Sequence, residues 1–170
     1  MPISGDVYRQ VGRAAAGGVS IVAAYDGEQA TIVALTVSSF VTLSFDPPLV
    51  MFAIQHNTDS YAAMVTCKAF GVSLLGIEQG DCARLFARRG REQARQATFD
   101  IGETLQVPLI PGALAQIECL KSEVFMSGDH AIVVGLVEGA RTREGQPLLY
   151  FSRQYGGFTA LPDPSTSWAE

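Results

Sequence analysis

Three short stretches of the chain carry side chains equipped for more than folding. Thr36, Ser38 and Ser39 bring hydroxyls and main-chain N–H groups together on an otherwise apolar segment. Asn57-Thr58-Asp59-Ser60 is a run of helix N-cap formers. The orphan N–H groups and dipole at such a helix start favour an anion. Gly128-Asp129-His130 sets a histidine beside a carboxylate in a hairpin turn. Five arginines between Arg84 and Arg95 read either as a solvated helix end and loop or as an anion contact.

What is missing narrows the chemistry. Neither GxGxxG nor GxxxxGK[ST] occurs, so no Rossmann pyrophosphate loop or P-loop is signalled, and the GxSxG elbow is absent. His56 and His130 are the only histidines, without HExxH or HxH, so no metal site is expected. A hydrolytic triad would have to use one of them without local support. Cys67, Cys82 and Cys119 are odd in number and lack CxxC spacing, which predicts reduced, mostly buried thiols.

The elements that hold these residues are mostly strands. The spacing predicts a short helix over 6–16, with Val7, Val11, Ala14 and Ala15 on one face and Gly17-Gly18 ending it. Strands over 19–25 and 29–36 flank an Asp26-Gly27 turn. Residues 37–45 alternate small polar and apolar types and predict one half-buried strand, which Asp46-Pro47-Pro48 interrupts. A strand over 49–54 and a capped helix with Tyr61, Met64 and Val65 at helical spacing follow. Next come a strand over 69–75, a helix over 79–87 and a polar, irregular stretch over 88–108. Long strands over 113–125 and 131–140 flank the Gly128 turn, and short ones over 148–152 and 155–159 finish the fold. Mostly strands with a few short helices suggest an antiparallel barrel rather than a βαβ array.

With 170 residues the chain predicts one domain over 1–170, with a core over about 6–159 and a frayed tail at 162–170. Hydrophobic residues make up 48% and charged ones 17%. That excludes a disordered chain and suggests that some surface is buried in another subunit. A net charge of −5 argues against a nucleic-acid partner or an anionic membrane surface. The first residues carry charge and no long apolar core, and no apolar run reaches about 18 residues. A cytoplasmic protein is expected.

The segment Thr36-Val37-Ser38-Ser39-Phe40-Val41-Thr42-Leu43-Ser44-Phe45-Asp46-Pro47-Pro48-Leu49-Val50 resembles the signature of the flavin reductase-like family, the NAD(P)H:flavin oxidoreductases that serve two-component monooxygenases. The resemblance continues through Ala69-Phe70-Gly71-Val72-Ser73-Leu74-Leu75, Leu85-Phe86-Ala87, Gly128-Asp129-His130 with Gly135-Leu136-Val137, and Pro147-Leu148-Leu149-Tyr150 with Tyr155-Gly156. It implies an FMN-binding split β-barrel with Greek-key connections, a homodimer, and reduced flavin passed to a monooxygenase. Flavin (FMN or FAD) and NADH or NADPH are the implied cofactor and co-substrate. The resemblance implies cofactor contacts at Thr36, Val37, Ser38, Ser39, Asp46, Pro47, Asn57, Thr58, Ser60, Phe86, Arg88, Arg89, Gly128 and Tyr155. Hydroxyls near Ser38 suit the polar edge of a flavin ring, and the phosphate is expected at Asn57–Ser60, with charge compensation from Arg88 or Arg89. His130 is the expected catalytic residue, packing on nicotinamide or supplying a proton, and Asp129 fixes the turn or orients the ring. Two alternatives stay open: a flavin-binding protein without fast turnover, and a reductase of another acceptor such as a corrinoid or ferric chelate.

Overall fold

Apolar and β-branched runs set between Gly, Pro and Asp turns become strands, and these dominate the structure. The computed structural model describes residues 2–27, 31–90 and 92–161. Its elements begin with α1 (Gly5–Ala14), β1 (Gly17–Gly18), β2 (Ser20–Asp26), β3 (Thr31–Val37), β4 (Val41–Ser44) and β5 (Leu49–Gln55). They continue with α2 (Tyr61–Thr66), β6 (Ala69–Leu74), α3 (Gly80–Phe86), β7 (Asp100–Ile101) and β8 (Pro108–Leu109). The last four are β9 (Ala115–Ser127), β10 (His130–Thr142), β11 (Leu149–Phe151) and β12 (Gln154–Gly156).

Seven strands form one antiparallel sheet in the order β3-β2-β6-β9-β10-β5-β4. β3 and β4 are its edges, and no ladder joins them among the described residues. A smaller sheet, β1-β11-β12, shares no ladder with it, but Leu148 accepts from Val19 N at 3.0 Å and donates to Leu75 O at 2.9 Å at the join. The protein is therefore mainly β and antiparallel, with a few short helices.

One expectation is corrected here. Residues 37–45 are two elements, because β3 ends at Val37 and β4 starts at Val41. Ser39 breaks the run: its hydroxyl accepts from Ala53 N at 3.0 Å and donates to Ala53 O at 3.1 Å, so the backbone leaves the ladder. β4 itself is largely exposed rather than half-buried. The irregular stretch over 88–108 also contains a 3-10 turn (Glu92–Gln96) and β7. The expected tail at 162–170 lies outside the described residues.

The core sits inside the large sheet, where Phe52 and Phe70 meet edge to face at 5.4 Å. Gly135 makes that approach possible, since a Cβ there would stand 2.5 Å from Phe70 Cζ and 2.8 Å from Cys119 Cβ. A second cluster, including Val19, Ile21, Leu75, Ala83, Phe86 and Leu148, packs α3 and the β11 segment onto the sheet. This second cluster holds the walls of the site. Ser4 caps α1, whose side chain accepts from Val7 N, and Asp6 in the first turn and Arg13 in the last suit its dipole. Yet α1 buries no residue, and Ile3, Val7 and Val11 stay exposed along one face.

Candidate functional site

Where β3 ends, three loops converge on it. The first is the 57–60 loop before α2, the second runs from α3 into Arg88-Arg89-Gly90, and the third is the β11–β12 hairpin. They enclose two adjoining cavities that share Thr36 and Ala87. One, about 200 Å³, is lined by Asn57, Thr58, Asp59, Ser60, Phe86, Arg88 and Arg89, with Gln55 at its edge. The other, about 220 Å³, is lined by Val37, Ser38, Tyr150 and Tyr155.

Hydrogen bonds lock the first cavity. Thr36 Oγ1 donates to Ala83 O at 2.8 Å and ties β3 to α3. Thr58 Oγ1 donates to Gln55 O at 2.8 Å. The Asp59 carboxylate accepts from Gly90 N at 2.6 Å, which joins the 57–60 loop to the arginine loop and occupies one of its oxygens. Gln93 Nε2 donates to the carbonyls of Arg88 and Arg89 at 3.1 and 2.7 Å, fixing that loop's backbone. The guanidiniums of Arg88 and Arg89 have no ion-pair partner among the described residues. The loop thus holds two unpaired cations over a polar hollow, which suits a phosphate.

The expected helix-start anion site takes a different form. α2 has only six residues, and its N-cap Ser60 makes no capping bond; the Ser60 hydroxyl points to Ala34 O at 3.5 Å. The positive charge comes from the arginine loop instead.

The second cavity has an aromatic wall. Tyr150 and Tyr155 lie 5.2 Å apart, and Arg84, paired with Asp81, sits over the Tyr155 ring at 5.2 Å. Burial pushes the Tyr155 hydroxyl up from its ordinary range, with the neighbouring Tyr150 adding to the rise. Ser38 is exposed at the rim, with no hydrogen-bond partner among the described residues. Of the three expected hydroxyls, those of Thr36 and Ser39 are engaged by the main chain, and Ser38's faces the cavity.

Gly128-Asp129 forms a two-residue turn between β9 and β10, with Gly128 at φ 61° in the first central position. His130 Nδ1 lies 2.7 Å from Asp129 Oδ1. Asp129 accepts from Gln55 Nε2 at 3.3 Å, and its carbonyl accepts from His56 N at 3.0 Å. The His130 contact holds the Asp129 carboxyl below the usual carboxylate range. Neither His130 nor Asp129 lines the two cavities; the turn reaches them through Gln55. Asp46 and Pro47 stand exposed in the β4–β5 turn, away from both cavities. Val37 and Phe86 are buried, Val37 in the main core and Phe86 against Phe99.

Gln55 and Tyr150 are site-lining residues that the sequence reading left out, while Asp59 lines the first cavity as a member of the Asn57–Ser60 run. The β10–β5 register, which pairs His130 with Gln55, is what brings Gln55 to the turn. Burial pushes the Cys119 thiol up to about 12, so it is no nucleophile at neutral pH.

The sheet and its paired cavities define a mainly β protein with arginines lining one cavity and two tyrosines the other. The chain belongs to the flavin reductase like domain family, which it matches over residues 12–159. The FMN reductase (NADH) of Agrobacterium fabrum is 33% identical to it over 142 residues, covering 84% of this chain and 79% of that one. The reductase component of 4-hydroxyphenylacetate 3-monooxygenase from Thermus thermophilus is 38% identical over 141 residues, 82% of this chain and 87% of that one. Among solved structures, an NADH:FAD oxidoreductase of Streptomyces globisporus, in complex with NAD and FAD fragments, is similar at a TM-score of 0.84. It is 26% identical, covering 96% of this chain and 99% of that one. No helix among the described residues is long and apolar enough to cross a membrane.

Proposed function

We propose that this chain is a flavin reductase: NADH, oxidised flavin and a proton give NAD⁺ and reduced flavin, which leaves for a separate monooxygenase. The observation that carries the reading is the pair of joined cavities, one with unpaired arginines and the other with an aromatic wall and a free hydroxyl. Flavin, when bound, supplies the ring that accepts the hydride. Arg88, Arg89, Asn57 and Thr58 hold its phosphate, and Ser38 hydrogen-bonds the polar ring edge beside Tyr155. Thr36, Phe86 and Val37 keep the walls rigid. His130 positions the nicotinamide and Asp129 orients the imidazole, with Gly128 giving the turn its shape.

The chain works as a single domain of the split-barrel type. Six inter-strand gaps at about 4.8 Å would put the edges of a flat seven-stranded sheet about 29 Å apart. The link from Val37 to Val41 spans at most about 14 Å, which supports a sheet curled on itself. It forms a homodimer: Phe45 is 98% exposed, Met126 64%, and α1 leaves its whole apolar face uncovered. A second subunit then covers these and stands near the His130 turn. The names of its relatives, an FMN reductase using NADH and the reductase component of a monooxygenase, support supply of reduced flavin from NADH.

The deciding experiment is anaerobic NADH oxidation by the purified chain against added FMN. Turnover that saturates with FMN is the expected result, and stoichiometric flavin binding without NADH oxidation would overturn the enzymatic reading.

A further inference from the structure

Among the described residues that line the arginine cavity, Asp59 is the one carboxylate. It stands exposed on the same wall system as Arg88 and Arg89, yet it has no ion-pair partner among the described residues. Its Oδ2 accepts from Gly90 N at 2.6 Å instead. An amide carries no net charge, so the bond fixes the carboxylate in place and leaves its negative charge in the cavity.

That bond braces the arginine loop from one side. Gln93, which is buried, braces it from the other through the carbonyls of Arg88 and Arg89. Gly90 between them is at φ 116°, a conformation that favours glycine, and a Cβ there would stand 3.1 Å from Gln93 Nε2. The loop is thus held in one shape, with its cations and Asp59 at a fixed spacing. A neutral acceptor such as an asparagine amide would supply the same brace. The charge of Asp59 has a separate effect, because it repels the phosphate that Arg88 and Arg89 attract.

We propose that Asp59 is a counter-charge that sets how long a flavin phosphate stays in this cavity, so that flavin exchanges as a substrate instead of remaining as a resident cofactor. The proposal rests on the phosphate lying at Arg88 and Arg89. The phosphate is the same group in oxidised and reduced flavin, so contacts to it hold substrate and product equally. Such uniform binding lowers KM without raising kcat, and differences in affinity fall mostly on the off-rate. Two unopposed arginines would therefore slow the departure of reduced flavin. Asp59 offsets part of their attraction while keeping the loop in the shape that receives a phosphate.

Asp59→Asn is the probe, since its amide oxygen still accepts from Gly90 N while the charge is gone. The variant should bind FMN about tenfold tighter and release reduced FMN about tenfold more slowly, with its melting temperature unchanged. Fluorescence titration reads the first effect and anaerobic displacement in stopped flow the second. Unchanged or weaker FMN affinity, or an unchanged release rate, overturns the proposal. Riboflavin lacks the phosphate and should bind the variant within about twofold of the wild type; an equal gain for both flavins overturns it as well. The gain should shrink between about 0.05 and 0.5 M salt, because an exposed charge is screened, and a gain that ignores salt would assign the effect to packing and overturn the proposal. Asp59→Ala removes brace and charge together and should gain less FMN affinity than Asp59→Asn; equal gains would overturn the bracing role. Arg88→Ala with Arg89→Ala judges the underlying placement. If that pair leaves the preference for FMN over riboflavin intact, the phosphate lies elsewhere and both readings fall. If the preference collapses while Asp59→Asn gains nothing, the counter-charge alone fails.

Discussion

At the arginine end of the site, Thr58, Asp59 and Gln93 spend their polar atoms on neighbouring backbone. At the other end, the Gly128–His130 turn stands open, with the His130 side chain 44% exposed and Asp129 joined to the 55–56 segment by hydrogen bonds from Gln55 Nε2 and His56 N. The first region is a rigid socket whose loops brace each other. The second is a local device that owes its geometry to its own turn and one neighbour. A binding site for a phosphate profits from fixed donors, because their ordering entropy is lost on folding rather than on binding. A residue that meets a second, exchanging substrate needs access instead. Loss of a socket cation should therefore show in flavin affinity, and loss of the turn histidine in turnover.

The largest effect is expected at the socket. Arg88→Ala with Arg89→Ala removes both unpaired cations, and at roughly 1.5–3 kcal/mol for each charge-assisted contact FMN affinity should fall about 100-fold or more. Riboflavin lacks the phosphate, so its affinity should stay within about threefold. Fluorescence titration of both flavins checks this, and equal losses for the two would move the phosphate elsewhere.

Next comes His130→Ala. A positioning role predicts about 100-fold slower flavin reduction by NADH in anaerobic stopped flow, with FMN affinity nearly unchanged. The pH dependence is testable in the same assay. Contact with His130 keeps Asp129 ionised below its ordinary value of 3.8. Its stabilising contribution is complete above that value and lost as pH falls through the lowered one. Asp129 should thus put no break in the rate between about pH 5 and 8. A break there that Asp129→Asn abolishes would count against this orientation.

The third prediction separates two adjacent serines that the sequence could not tell apart. Ser38→Ala should weaken FMN about tenfold with little change in melting temperature, because its hydroxyl has no partner among the described residues. Ser39→Ala should do the reverse. It leaves both polar groups of Ala53 unpaired, at roughly 1–3 kcal/mol, or about 2–4 °C of melting temperature per kcal/mol. A Ser39 variant that melts normally but binds FMN poorly would exchange these roles.

That pair also marks the limit of what was legible in the residues. Alternation, composition and turn signals located the strands of the large sheet and the last hairpin, whereas the two-residue strands β1, β7 and β8 are too short to leave a period. Ser39 was invisible as a break because a hydroxyl on an alternating segment looks the same whether it faces a ligand or the next strand. Arg88 and Arg89 were legible as cations, but their freedom from carboxylates depends on Gln93 and Asp59, which only the folded loop brings near. Asp59 sits in the expected phosphate loop, and its carboxylate is taken up by Gly90 N, a contact between loops 31 residues apart in the chain. The link between socket and turn was hidden for a similar reason: Gln55 and Asp129 meet through strand register across 74 residues of chain.

Gln55 is therefore the place where the contrast between the two regions can be tested with the smallest change. Its side chain lines the socket and donates to Asp129, and its carbonyl receives the Thr58 hydroxyl. Gln55→Leu keeps the carbonyl and the strand, so the Thr58 bond should survive and only the side-chain bond is lost. That bond is exposed and 3.3 Å long, which places it at the weak end, about 0.5–1 kcal/mol. The expected result is a two- to fivefold fall in the rate of flavin reduction by NADH, with FMN affinity within about twofold. Since the partner it would loosen is Asp129, the Gln55→Leu and Asp129→Asn effects should not add in the double variant. Full additivity, or a loss confined to FMN affinity, would show that Gln55 belongs to the socket alone and that the His130 turn is positioned without it.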